Sequence, residues 1–153
     1  MITAWRLVDP RYGEDAFTGK GARINGGRWN CPGTAIVYTA SLVSLATLEL
    51  IVHVPRARRL PQYSLIPCYF HEVLVEELDR AKLPPNWRIY PAPPELKEIG
   101  EQWIRDGGSA ILKVPSAVIE EEFNYLLNPA HEDFKSVDVG EPRPFNLDLR
   151  LRT

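Results

Sequence analysis

Fourteen prolines interrupt this 153-residue chain from Pro10 to Pro144, so often that a bundle of long helices cannot be written along it. Proline removes a backbone donor and clashes with the preceding turn of a helix, and the count here exceeds the usual share of about 5%. Short elements joined by ordered loops remain, which predicts an α+β fold. With 44% hydrophobic residues the chain has material for one real core, so a single domain over 1–153 is expected.

Charge and cysteine content exclude several classes. The 18 basic and 20 acidic residues are spread along the chain and leave a formal net charge of −2, so no general attraction to nucleic acid or an anionic membrane is implied. Cys31 and Cys68 are too few and too far apart for a zinc site, and they predict free thiols. The N-terminus lacks an uninterrupted apolar run, and the longest one, 42–54, is broken by Glu49 and His53. These absent signals predict a cytoplasmic protein with no membrane or direct nucleic-acid contact.

Patterning sets the expected elements. Residues 4–8 read as an opening strand with Arg6 on one side, ended by Asp9-Pro10. The polar, glycine-bearing segment 11–25 reads as a loop with a mobile tip. After the Pro32-Gly33 turn, 35–38 reads as a short strand ending on Tyr38. From Ser41, a plausible N-cap, to His53 apolar residues recur at helical spacing, with Leu42, Leu45, Leu48, Glu49 and Val52 on one face. The basic run 55–59 is most simply a solvated turn. Residues 63–70 form a strand whose Pro67 suits an edge or a bulge, and 73–75 is a further piece of sheet. Segments 83–87 and 90–94 are rigid and non-helical. Pro94 opens a helix over 95–105 with Leu96, Ile99 and Trp103 on one face, stopped by Gly107-Gly108. Residues 110–114 form a buried strand ended by Pro115-Ser116, 120–127 leads into the Asn128-Pro129 turn, and the alternation over 144–151 predicts a final strand.

The candidate site lies between the Gly26-Gly27 pair and Glu49. Neither a Walker loop nor Gly-x-Gly-x-x-Gly precedes a helix, the three histidines have no metal-ligand spacing, and no Gly-x-Ser-x-Gly elbow occurs. That leaves an arginine after a glycine pair, a tyrosine and a carboxylate on an apolar helix stripe. Arg28 offers a fixed fork for phosphate or carboxylate, or serves as a structural arginine capping carbonyls. Tyr38 is a site or a core residue. Glu49 is costly on a core-facing stripe unless it has partners, and an ion pair with Arg6 or Arg28 is the structural alternative to a functional role. Ser116 and Asn124 are possible contributors with common turn and hydrogen-bonding roles.

Taken together, Gly26-Gly-Arg-Trp-Asn30, Val37-Tyr-Thr-Ala40, Ser44-Leu-Ala-Thr-Leu-Glu49, Val114-Pro-Ser116, Asn124-Tyr-Leu-Leu-Asn-Pro129 and Phe145-Asn-Leu-Asp-Leu-Arg150 resemble the RES domain, and the likeness covers nearly the whole chain. The family is named for an Arg, a Glu and a Ser; Arg28 or Arg6, Glu49 and Ser116 are the matching candidates. The resemblance implies the toxin of a bacterial type II toxin–antitoxin pair, built on an ADP-ribosyltransferase-like split β-sheet core with flanking helices. It further implies NAD as substrate and not as resident cofactor, no metal, an Xre-like helix-turn-helix antitoxin as partner, and a homodimer or a hetero-oligomer with that antitoxin. It places Arg28, Tyr38 and Glu49 in the family's Arg–Tyr–Glu constellation. The acceptor is water, phosphate or a protein side chain, and a non-catalytic nucleotide-binding module is the alternative from another class.

These residue types suit that chemistry. Cleaving the nicotinamide–ribose bond builds positive charge on the ribose, which a nearby carboxylate such as Glu49 stabilises while it orients or deprotonates a water. Arg28 would hold the pyrophosphate or a ribose, with Arg6 facing the same cleft. Tyr38 would stack on nicotinamide. Ser116 and Asn124 would hydrogen-bond ribose hydroxyls or Glu49.

Overall fold

The computed structural model of the chain describes residues 1–54 and 62–151. In order, these form β1 (Ile2–Val8), α1 (Lys20–Asn25), β2 (Val37–Ala40), α2 (Val43–His53), β3 (Tyr63–Phe70), β4 (Val75–Glu77), α3 (Pro94–Asp106), β5 (Ile111–Pro115), β6 (Phe123–Leu127), β7 (Asp138–Val139) and β8 (Arg143–Phe145), with short 3-10 turns between them. Among the described residues the strands make one eight-stranded sheet in the order β4-β5-β6-β2-β1-β3-β7, with β8 also on β3. Every pairing is antiparallel except β4 with β5. The fold is mixed α+β, as the prolines predict.

The sheet is nearly divided at its middle. β1 pairs with β3 over seven residues and β2 with β6 over four, yet β1 meets β2 only at Trp5 and Ala40. The two halves therefore splay apart beside Tyr38, whose carbonyl takes a 2.9 Å bond from the Arg6 guanidinium where a ladder N–H would otherwise donate. A cleft opens at this split.

Period-two alternation places apolar residues on both faces of the β5–β6 half. Ile111, Tyr125 and Leu127 join Ala4, Val37, Cys68 and Phe70 on one side. Leu112, Val114 and Leu126 face the other, where Leu96 and Trp103 of α3 and Trp29 cover them. A strand buried on both faces reads as a continuous apolar run, which is why 110–114 was legible. Helix α3 also follows its sequence signals, with Pro94 in its first turn and Gly107 at φ 60 ending it.

Several expectations are corrected. Segment 11–25 is not a loop: Pro10–Asp15 is a 3-10 turn capped by Asp9, and α1 follows between Gly19 and Gly26, both at positive φ. The glycines there terminate structure instead of loosening it. The strand expected over 35–38 is β2, two residues later. Helix α2 starts at Val43 with Leu42 at its cap position, so Ser41 is no N-cap; the Ser41 N–H donates to the Phe123 carbonyl. The helix is rotated from the expected stripe, because the small Ala46 seats it with Leu45 against Ala40 and Leu7. Leu42, Leu48 and Val52 are left exposed. Pro67 sits in neither an edge strand nor a bulge. It falls between the stretches of β3 that β7 and β8 cover, where no ladder donor is required, and its carbonyl accepts from Gly140. Residues 72–74 are a 3-10 turn before β4, and 123–127 is a strand. The alternation over 144–151 yields strand only through Phe145. β8 fills the remaining edge of β3, and Asp148 then caps a 3-10 turn over Leu149–Leu151 by accepting from the Arg150 N–H. The basic run 55–59 lies outside the described residues.

Candidate active site

The Gly26–Asn30 turn forms one wall of the cleft. Gly26 takes φ 76, and Gly27 and Asn30 bond each other's backbone across the turn. Arg28 then projects toward the segment 87–92, donating from its Nη atoms to the carbonyls of Trp87 at 2.9 Å and Ile89 at 3.2 Å. Trp29 turns inward to pack against α3.

Tyr38 rises from β2 beside this turn. Its hydroxyl donates to Asn30 Oδ1 at 2.6 Å and accepts the Trp29 N–H at 3.1 Å. Burial pushes its pKa well above the ordinary phenol range, with the Trp29 N–H opposing. Tyr38 is therefore a neutral ring at all working pH values.

Glu49 enters from α2, and its partners are neutral. Oε1 accepts from Asn124 Nδ2 at 2.8 Å and Oε2 from Ser116 Oγ at 3.0 Å. Ser116 Oγ itself accepts from the N–H groups of Val118 and Ile119, so its own proton points to Glu49. Asn124 uses its second amide proton on the Thr39 carbonyl. Among the described residues Glu49 makes no ion pair with Arg6 or Arg28. Burial raises its pKa above the usual carboxylate value, while Asn124, Ser116 and, more remotely, Arg28 hold it down. The outcome is a carboxylate fixed at both oxygens yet easier to protonate than a surface one.

Arg6 is the cleft's deepest cation. Its Nε donates to the Ala16 carbonyl at 2.6 Å and an Nη to Tyr38, leaving three N–H bonds without a protein acceptor among the described residues. Among the described residues the titratable group that acts on it is Cys68, whose thiol burial pushes up to about 12 and so keeps neutral. Burial lowers the Arg6 pKa to about 10, still fully charged at neutral pH. A desolvated cation without a counter-charge is expensive unless a ligand supplies one.

The cleft has a volume of about 1090 Å³, and Arg6, Arg28, Arg88, Lys97, Tyr38, Glu49, His53, Tyr90 and Asn124 are among its lining residues. Four cations face one carboxylate, although the whole chain is net acidic. Of the six residues singled out from the sequence, five line this one cleft; Ser116 is fully buried and reaches it only through Glu49. The sequence did not single out Asn30 as a hydrogen-bonding centre, nor Arg88, Lys97, His53 and Tyr90 as lining residues. The proline-rich rigidity of 83–94 was the available signal, and only the fold lays that segment along the cleft.

A model of the RES domain family matches residues 3–148. The chain is 38% identical over 149 residues to "Toxin Res" of Yersinia enterocolitica, covering 97% of this chain and 98% of that protein. It is 40% identical over 156 residues to the "Prs ADP-ribosylating toxin" of a Sphingobium species, covering 96% and 94% respectively. In structure it is similar, with a TM-score of 0.74 and 18% identity, to a chain of the M. tuberculosis MbcT–MbcA toxin–antitoxin complex, over 95% of this chain and 84% of that one. That likeness is one of fold.

Proposed function

The chain belongs to the RES domain family, and from that premise we propose that it is the toxin of a toxin–antitoxin pair that breaks the nicotinamide–ribose bond of NAD and so arrests growth. The observation that carries this reading is Glu49: a half-buried carboxylate, held at both oxygens by neutral donors, in a cleft whose other charged lining residues are all cations. The C1′–N bond breaks with its electron pair leaving on nicotinamide, which departs neutral, and positive charge develops on the ribose. Glu49 stabilises that charge in a site where the fixed donors of Ser116 and Asn124 need no reorganisation. Water then adds at C1′ and gives a proton to Glu49, whose raised pKa suits a base. The products are nicotinamide, ADP-ribose and a proton. Arg6 and Arg28 take the pyrophosphate, and the positive cleft favours a ligand that carries this dianionic group over neutral competitors.

One relative is named an ADP-ribosylating toxin, which favours a second reading in which a protein side chain replaces water at C1′. Label from adenine-labelled NAD appearing on a macromolecule, and not as free ADP-ribose, identifies it. The partner proposed is an Xre-like helix-turn-helix antitoxin that covers the cleft, so NAD and antitoxin compete; unchanged NAD access in the complex contradicts that. The deciding experiment is nicotinamide release from NAD by the purified protein, with and without cell extract as acceptor source. The parent is expected to release it and Glu49→Gln to lose at least about 100-fold, in the range seen when a main electrostatic stabiliser is removed. Release by neither the parent nor its mixtures sinks the reading.

A further inference from the structure

Asn30 ends the Gly26–Asn30 turn, is fully buried, and does not line the cleft. Its Nδ2 lies against three carbonyls, those of Ala22 at 2.9 Å, Cys31 at 3.1 Å and Thr34 at 3.0 Å. Two N–H bonds shared among three acceptors fix the orientation of the amide, since an oxygen in that place would face three oxygens. Oδ1 is thereby turned to the Tyr38 hydroxyl. Because the phenol oxygen already accepts the Trp29 N–H, its single proton goes to Asn30. Gly27 closes the remaining side: a Cβ there would lie 2.6 Å from the Tyr38 oxygen and 2.9 Å from Asn30 Oδ1. The hydroxyl is enclosed and its proton is spent. What Tyr38 presents to the cleft is its ring.

We propose that Asn30 is a positioning residue for this cleft: through its hydrogen bond to the Tyr38 hydroxyl it sets the aromatic ring as the wall against which the ligand's flat leaving base rests, so that Tyr38 works by its ring and not by its hydroxyl. This deepens the NAD reading and rests on it. The three carbonyl bonds of Asn30 staple the turn to α1 at Ala22 and to the following segment at Cys31 and Thr34, and serve stability; the fourth bond carries alignment. A leaving base departs along one direction, and a wall that shifts by an ångström loses that alignment.

The test is a double-mutant cycle with Asn30→Ala and Tyr38→Phe, read as kcat and KM for nicotinamide release and, separately, as melting temperature. Each single variant is expected to lower kcat roughly tenfold, and the double variant no more than about twofold beyond Tyr38→Phe, because both break one bond. Melting temperature is expected to fall further in the double variant, since the staples are lost as well. Tyr38→Leu, which removes the ring, is expected to lose about 100-fold or more. Additive losses in kcat would assign Asn30 a purely structural role and overturn the proposal. Equal inactivity of Tyr38→Phe and Tyr38→Leu would give the hydroxyl a chemical role and overturn it too, and this comparison decides the matter alone if Asn30→Ala does not fold. A parent that neither releases nicotinamide nor transfers ADP-ribose overturns the NAD reading and this inference together; an active parent with additive losses overturns the inference only.

Discussion

At the scale of single residues, Glu49 shows the tension between site and stability. Burial raises its folded-state pKa above the unfolded value of about 4.3. The stability that a protonated Glu49 contributes is therefore full below that unfolded value and is lost as pH rises through the folded pKa. Glu49→Gln is expected to melt higher than the parent at neutral pH, with the gap closing as pH falls below about 4. The glutamine keeps the Asn124 bond through its oxygen but gives up the Ser116 bond, because Ser116 Oγ already accepts from Val118 and Ile119, so the gain comes from relief of charge burial alone. A melting curve that moves down at neutral pH would show the carboxylate to be a net stabiliser. In activity the same shift has the opposite sense: the acid limb of nicotinamide release is expected above about pH 4.3, since the carboxylate is the working form. Arg28, Tyr38 and Glu49 were singled out in the sequence by their ordered spacing and by the family resemblance, with only Glu49 out of place for its surroundings, and the fold brings all three to one cleft. Asn30 was not, because an asparagine after a tryptophan reads as an ordinary turn residue until its four bonds are seen.

At the scale of elements, two glycines of α3 and its cap separate steric from conformational constraint. Gly100 packs against the backbone of Trp29, and a Cβ there would run into the Trp29 carbonyl. Gly107 ends the helix at φ 60 with open space around it. Gly100→Ala is expected to cost about 3 kcal/mol or more, because backbone cannot yield as a side chain can. Gly107→Ala is expected to cost only about 1 kcal/mol, the penalty of a left-handed conformation alone. Denaturant midpoints measure both, and equal costs would contradict the close seating of α3 on the Trp29 turn. That seating matters for the cleft, since Glu101 on the same helix accepts from the Cys31 N–H and the Thr34 hydroxyl and so fixes the far end of the turn. Helix α3 was legible almost to the residue, since Pro94, its apolar face and Gly107 are all local signals. The orientation of α2 was not: its apolar residues fall on more than one face, and the choice of inward face was made by what lies beneath it.

At the scale of the molecule, the split sheet concentrates positive charge that the sequence spreads evenly. Arg6 from β1, Arg28 from the turn, and Arg88 and Lys97 from segments some sixty to ninety residues further on meet around one cleft. ADP-ribose, which carries the pyrophosphate without the scissile bond, is expected to raise the unfolding free energy by about 2.7 kcal/mol at 100 times its Kd. The shift should shrink with added salt, less for the contact with desolvated Arg6 than for exposed Arg88, and be smaller in Arg6→Gln at equal ligand concentration. A salt-independent shift would place the pyrophosphate elsewhere. The sequence by itself determined what is local: an α+β chain of short elements, the strands buried on both faces, helix α3, and the residue types of the site, because propensity, capping and periodicity act over a few residues. Only the tertiary structure decided where β1 and β2 part, which face of α2 turns inward, that Ser116 and Asn124 and not an arginine hold Glu49, and that segment 87–92 walls the cleft. Each of those depends on contacts between segments distant in sequence, which a one-dimensional pattern does not contain.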